Sequence, residues 1–497
     1  MKIDNPHNIQ PTAFRSPFYP LFLWQVLGWL LISASVFADT RPPHPAAVRS
    51  WKFDFGPGHA LHGYLPVLST TFYTPENGYG FDFGSMVTDV KRGGPDALRD
   101  GYCTSDHPFY FSVRLPEGNY NVTVTLGDAE GTSVTTIKAE CRRLMVEKVT
   151  TAKGEFTSRT FTVHIRDSII GQPVTPYPAP IPASGSPDPA HPGSETRPPP
   201  APGTPVRLKP REYAFLHWDD KLTLEFSNTA PKISAIVIEP AENIPTVFLA
   251  GNSTVVDQAE EPWAAWGQMI PAFFQPARIA IANYAESGET LKAFVGERRL
   301  AKVWSMARPG DYLFIEFAHN DQKPGGNHLD PFTTYKEELA WYIGEARNHG
   351  MIPVLVTSMH RRNFDTAGHV VNTLGDYPAA MRQTAKELNL PLVDLNEMSR
   401  RLYEAWGPER SIHAFVHYPA HTFPGQEQEL KDDTHFNSYG AYELAKCVVK
   451  GIKENVPELA KYLSTDLPVF DPAHPDPMET WNLPMSSRIT VVRPDGN

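Results

Sequence analysis

Three short blocks in the C-terminal half of this 497-residue chain carry the groups needed to attack an ester: Gly251-Asn252-Ser253, His319-Asn320-Asp321 and Asp432-Asp433-Thr434-His435. A serine hydroxyl can act as the nucleophile, a histidine can take its proton, and a carboxylate can orient the imidazole. An asparagine amide can donate to the oxyanion that develops on the attacked carbonyl. Each block alone is a weak signal. Their order, and the elements around them, make the set specific.

Those elements must bring together residues nearly two hundred positions apart. From Pro240 onward, continuous apolar strands alternate with helical stretches. The run Thr246-Val247-Phe248-Leu249-Ala250 ends at Gly251, and further strands are expected at 277–282, 311–317, 352–357 and 391–395. Helical spacing of apolar residues marks 335–349, 377–388 and a last helix from Tyr439 to about Asn455. This alternation implies an α/β fold with a parallel sheet, whose active site gathers at the carboxyl ends of the strands. Ser253 and Asn320 each follow such a strand. Gly288 lies in the loop after another, and Asp432 and His435 precede the last helix.

The N-terminal part, 48–240, reads as all-β. Phe111, Val113 and Leu115 alternate, Pro116-Glu117-Gly118-Asn119 forms a turn, and Tyr120, Val122, Val124 and Leu126 alternate again, the pattern of a hairpin. Strands follow at 160–165, 222–226 and 233–238, and the whole suggests a β-sandwich. A proline-rich stretch over 172–210 interrupts it as an extended insertion with little that could pack a core. Residues 466–497 read as an extended C-terminal tail.

At this point the chain resembles the SGNH hydrolases, or GDSL esterase superfamily, and within it the rhamnogalacturonan acetylesterase family. The resemblance covers about Pro245 to Lys453 and rests on Leu249-Ala250-Gly251-Asn252-Ser253-Thr254-Val255, Trp266-Gly267-Gln268-Met269, His319-Asn320-Asp321-Gln322-Lys323, Arg361-Arg362 and Asp432-Asp433-Thr434-His435-Phe436. It implies a flavodoxin-like three-layer hydrolase domain over 245–465, and the preceding sandwich is similar to galactose-binding domains attached to such esterases. It further implies Ser253 as nucleophile, His435 as base and Asp432 as its orienting acid. The amides of Ser253 and Gly288 and the side chain of Asn320 would form the oxyanion hole. The implied reaction is removal of acetyl groups from a pectic polysaccharide through an acyl-serine, without metal or cofactor. Asn252 departs from the Asp usual in the family, but it can still accept hydrogen bonds from local amides. Arg361 and Arg362, near the expected site, could hold galacturonate carboxylates by bidentate hydrogen bonds, or form structural ion pairs. An esterase for another acylated glycan or small ester, and a carbohydrate-binding protein that has lost catalysis, remain open alternatives.

Composition narrows the field. The net charge of −11 without a basic run argues against nucleic acid as a partner. Residues 1–38 have the basic start, apolar stretch and small-residue cleavage site (Val36-Phe37-Ala38) of an export signal, which would place the mature protein outside the cytoplasm; the alternative is an uncleaved membrane anchor, since the apolar run could nearly span a bilayer. Three cysteines do not make a disulfide framework, although Cys103 and Cys141 could pair. His413, His417 and His421 lie four apart, but Pro419 breaks any helix that would align them on a metal. The aromatics of Trp263–Trp266 are expected to be packing residues more than sugar platforms. The chain is expected to act as a monomer.

Overall fold

The computed structural model describes residues 50–172 and 197–496. The expected export signal and most of the proline-rich stretch lie outside the described residues. Residues 49–497 form one compact unit, so the β-rich and α/β parts pack against each other.

The β-rich part is a sandwich. One sheet contains, in spatial order, the strands Phe156–Ile165, Gly118–Gly127, Lys232–Pro240, Trp51–Phe55 and Leu65–Val67, extended by Gly101–Thr104 and Thr88–Lys91. The other runs Tyr79–Asp82, Phe109–Arg114, Lys221–Ala230, Ser133–Ala139 and Arg143–Thr151. Alternate residues of the two inner faces, including Phe53, Phe55, Phe109, Phe111, Val122, Val124, Leu222 and Leu224, bury one shared core. The expected hairpin is not one. Phe109–Arg114 pairs with Lys221–Ala230 and Tyr79–Asp82, whereas Gly118–Gly127 pairs with Phe156–Ile165 and Lys232–Pro240 in the opposite sheet. Period-two patterning reveals that a strand has a buried face, but it does not name the strand's neighbour. Here the turn at Pro116–Gly118 carries the chain across the core, and the two buried faces meet as opposing walls.

The α/β part contains five parallel strands, β1 (Thr246–Gly251), β2 (Ala280–Asn283), β3 (Tyr312–Glu316), β4 (Ile352–Val356) and β5 (Leu392–Val393), in the order β2-β1-β3-β4-β5. This is the flavodoxin-like order, and it places a topological switch point beside β1, where such sheets bind ligands. All of β1 is buried because helices cover both faces. Phe248 and Ala250 face a layer that includes Leu300, Val303, Leu339 and Ile343. Val247 and Leu249 face one that includes Leu402, Tyr403, Leu444 and Val448. A short antiparallel pair, Phe415–Tyr418 with Leu430–Phe436, leads into the last helix, Ser438–Asn455.

The end of the proline-rich insertion packs, contrary to expectation. Val206 is buried in the same core layer as Leu300 and Val303, and Arg197 makes two hydrogen bonds to Glu338, at 2.6 and 2.8 Å. An isolated valine among prolines carries no periodic signal, so its burial could not be read from spacing. The C-terminal tail has no long element, as expected, but it lies against the rest of the molecule. Ser486 hydrogen-bonds Glu225 and Glu261, and Glu261 exchanges backbone hydrogen bonds with Arg488 and Thr490.

Candidate active site

The strand–loop junctions position the reactive groups. β1 stops at Gly251, and Asn252 then closes a tight turn in which its carbonyl accepts from the amides of Val255 and Val256. The Asn252 side chain accepts from the Thr254 amide (3.1 Å) and hydroxyl (2.9 Å). The residue that departs from the family pattern therefore still braces the turn. Asn252-Ser253-Thr254 has the form of a glycosylation sequon, but Asn252 is fully buried, which leaves no room for a glycan. Held by that turn, Ser253 Oγ lies 2.8 Å from His435 Nε2.

His435 Nδ1 in turn lies 2.8 Å from Asp432 Oδ2. The other carboxylate oxygen accepts the amides of Thr434 (2.9 Å) and His435 (3.0 Å). The three-residue spacing thus lets the acid grip both the ring and the backbone of the base. Burial alone would raise the Asp432 pKa, but hydrogen bonds and charge from His435, with the two amides, hold it well below the usual carboxylate range. Trp263 Nε1 and Arg493 Nε approach Oδ2 at 3.4 and 3.3 Å. Ser253, Asp432 and His435 are all buried, so the relay works in a largely dry setting.

The three expected oxyanion donors are each unspent or only partly spent. The amides of Ser253 and Gly288 bond no acceptor among the described residues. Gly288 holds φ +84°, a conformation that favours glycine. Asn320 Nδ2 gives one hydrogen bond to the Glu289 carbonyl at 3.0 Å, which aims the amide and leaves its second hydrogen available. Such a set of fixed dipoles can stabilise an oxyanion.

The two arginines separate. Arg362 is engaged structurally: it bonds Asp433 (2.9 Å), Ser411 (3.0 Å) and the Pro408 carbonyl (2.5 Å). Of the two readings open for it, substrate binding or a structural ion pair, the structure displays the ion pair, with the fork filled by Asp433, Ser411 and Pro408. Arg361 meets neutral acceptors, the Thr373 hydroxyl and the His319 carbonyl, each at 3.3 Å, and the Gln322 side-chain oxygen at 3.0 Å, and has no carboxylate ion-pair partner among the described residues.

Other expectations resolve simply. Trp263 and Trp266 are buried packing residues. The three cysteines are free and buried. His413, His417 and His421 do not form a ligand set, and His417 instead bonds Asp433 at 2.9 Å. The residues whose side chains could converge on an ion, among those described, are Glu212, His217 and Glu286. Arg299 and Arg211 already neutralise the two glutamates.

Sequence reasoning missed the support that the sandwich gives this site. Arg142 donates to the carbonyls of Gln258 (3.1 Å) and Trp263 (2.8 Å), and Arg143 pairs with Asp257 at 2.7 Å, all on the loop after Ser253. It also missed the tail. Gly496 lies so close to Asn320 that a β-carbon there would meet Oδ1 at 2.7 Å, and Asp495 lies beside Gly288 and pairs with Arg211. Lone arginines in a 497-residue chain carry no pattern that separates these from surface charges.

Residues 249–441 match the GDSL-like lipase/acylhydrolase family, and residues 51–174 match the galactose-binding-like domain of β-agarase/YXIM-type esterases. Rhamnogalacturonan acetylesterase RhgT of Bacillus subtilis (strain 168) is 43% identical over 210 residues, which are 42% of this chain and 89% of that protein. The uncharacterised esterase YxiM of the same organism is 24% identical over 439 residues, 86% of this chain and 97% of the relative. The crystal structure of YxiM aligns over 82% of this chain and 98% of its own, at 23% identity and a TM-score of 0.40. The chain thus belongs to the GDSL-like lipase/acylhydrolase family and is a carboxylic ester hydrolase with a galactose-binding-like domain ahead of its catalytic part.

Proposed function

We propose that the protein is an exported, monomeric O-acetylesterase that deacetylates a pectic polysaccharide of the rhamnogalacturonan type. The carrying observation is the unbroken relay from Ser253 through His435 to Asp432, with both links at 2.8 Å. Ser253 Oγ attacks the acetyl carbonyl as His435 Nε2 takes its proton. The oxyanion is received by the amides of Ser253 and Gly288 and by Asn320 Nδ2. His435 then returns the proton to the departing sugar hydroxyl, leaving an acetyl-serine. Water, deprotonated by the same histidine, releases acetate. The intact relay speaks against a protein that has lost catalysis.

The substrate class draws support from the rhamnogalacturonan acetylesterase relative and from Arg361, a half-buried guanidinium that meets neutral acceptors and no carboxylate among the described residues. Export is supported by residues 1–38, whose basic start, apolar stretch and Val36-Phe37-Ala38 have the form of a signal. Acetate release should be measured across acetylated pectins, acetylated xylan and an aryl acetate. Turnover greatest on rhamnogalacturonan, with Arg361→Ala losing more on charged than on neutral acetylated sugars, is expected. Preference for xylan or for small esters would instead select the reading of an esterase for another acylated compound.

A further inference from the structure

Gly288 has its φ at +84° and its amide unbonded, and the other end of the same peptide unit is the carbonyl of Ser287. Two cations from outside the hydrolase part seize that carbonyl. Lys209 Nζ donates to Ser287 O at 2.5 Å, and Arg211 NH2 donates to it at 3.2 Å. Both residues belong to the segment that runs from the end of the proline-rich insertion toward the sandwich strand Lys221–Ala230. We propose that Lys209 and Arg211 are positioning residues that set the Gly288 N–H as an oxyanion donor, so that the accessory domain's own chain completes the catalytic centre.

The physical argument runs through one peptide plane. A trans peptide is rigid and planar, with its C=O and N–H pointing in opposite directions. Pinning the Ser287 oxygen therefore fixes where the Gly288 hydrogen points. A cation on the oxygen also draws electron density from the nitrogen, which makes the N–H a better donor. The flanking charges hold the cations in place. Lys209 pairs with Glu289 at 2.5 Å, and Arg211 pairs with Glu286 at 2.5 Å, one glutamate on each side of Ser287-Gly288. Both glutamates are buried, which raises their pKa values, while the neighbouring cations pull them back down.

The segment itself is anchored from below. Pro210–Ala214 forms a single 3-10 turn whose buried Glu212 accepts the Lys209 amide (2.8 Å) and the Trp218 indole (3.0 Å). Glu212 is also gripped by both terminal nitrogens of Arg299, at 3.0 and 2.5 Å, from the helix Arg299–Met306. This bidentate, fully buried pair fastens the turn to the hydrolase part and so aims Lys209 and Arg211.

The inference rests on the serine-ester reading above, and its test uses the full chain. Lys209→Met and Lys209→Arg should be compared on 4-nitrophenyl acetate, with rates normalised to active sites titrated by an organophosphonate at Ser253. Outright loss of an oxyanion donor costs about 10²–10³ in kcat. Loosening one should cost Lys209→Met about 10-fold or more in kcat per titrated site, with KM little changed. Lys209→Arg should recover most of that loss. If Lys209→Met fails to fold, Arg211→Gln reads the same carbonyl from a side chain 31% exposed, with an expected kcat loss of about 3-fold. A change confined to KM, or to the number of titratable sites, would overturn the proposal, as would a kcat loss that arginine at 209 does not restore. Wild-type protein that neither turns over the acetate nor labels at Ser253 would remove the ester-hydrolysis reading itself, which keeps the two failures distinct.

Discussion

Replacing Asp432 by Asn tests how the acid works, because the structure dictates which way the new amide must face. One carboxylate oxygen accepts two backbone amides, from Thr434 and His435, at 2.9 and 3.0 Å. The NH2 group of an asparagine cannot sit there, since it would point its hydrogens at two donors. Its oxygen keeps these two short amide bonds in preference to the longer contacts from Trp263 and Arg493 at 3.4 and 3.3 Å on Oδ2, and its nitrogen then faces His435 Nδ1, 2.8 Å from the present Oδ2. An NH2 donor obliges Nδ1 to accept, which moves the ring proton to Nε2. That nitrogen then cannot take the proton of Ser253. In a serine protease the same change lowers turnover by about 10⁴, or about 5.5 kcal/mol of barrier. We expect a kcat loss of about 10⁴ on an aryl acetate for Asp432→Asn, with the fold kept. The assay is steady-state hydrolysis together with near-ultraviolet circular dichroism. A variant within about tenfold of wild type would refute this account of the tautomer.

Two further predictions follow from the contacts around the site. Arg143→Met strips the partner from Asp257, whose carboxyl is fully buried and whose pKa burial already raises. Breaking such a pair typically costs about 3–5 kcal/mol. A carboxyl with a raised folded pKa is most destabilising when ionised, so the variant should recover stability as pH falls from about 8 to about 5. Urea unfolding at the two pH values checks the sign, and equal losses at both would count against it. Deletion of the tail from Val492 onward should raise kcat/KM on acetylated polysaccharide, because Gly496 and Asp495 lie against Asn320 and Gly288, the proposed oxyanion donors. A lowered value for the truncated protein would show that the tail instead helps to bind substrate.

Much of the catalytic centre was legible because each part follows a buried parallel strand or precedes a helix. The Thr246–Gly251 run, with every residue buried, advertises its place, and the sheet order then decides that Ser253 and Asn320 share a crevice. The Asp432–His435 spacing is equally local, since one carboxylate reaches both the ring and the amide three residues on. What escaped was whatever depends on distant partners. Strand pairing in the sandwich escaped because Phe111 and Val122 have the same alternation whether their strands pair or face each other across a core. Lys209, Arg211 and Arg143 escaped because a cation's value here lies in the carbonyl or carboxylate it meets, 76 or more residues of chain away in each case. The choice between Arg361 and Arg362 likewise depended on Asp433 filling the second fork but not the first.

The account's central claim is that Ser253 is made nucleophilic by His435. The most direct measurement is mass spectrometry of the protein after exposure to a fluorophosphonate, alongside Ser253→Ala and His435→Ala. A single adduct on Ser253 is predicted, absent in the alanine variant at 253 and formed far more slowly in the one at 435. An unlabelled Ser253 in folded wild-type protein, or labelling that proceeds equally well without His435, would contradict it.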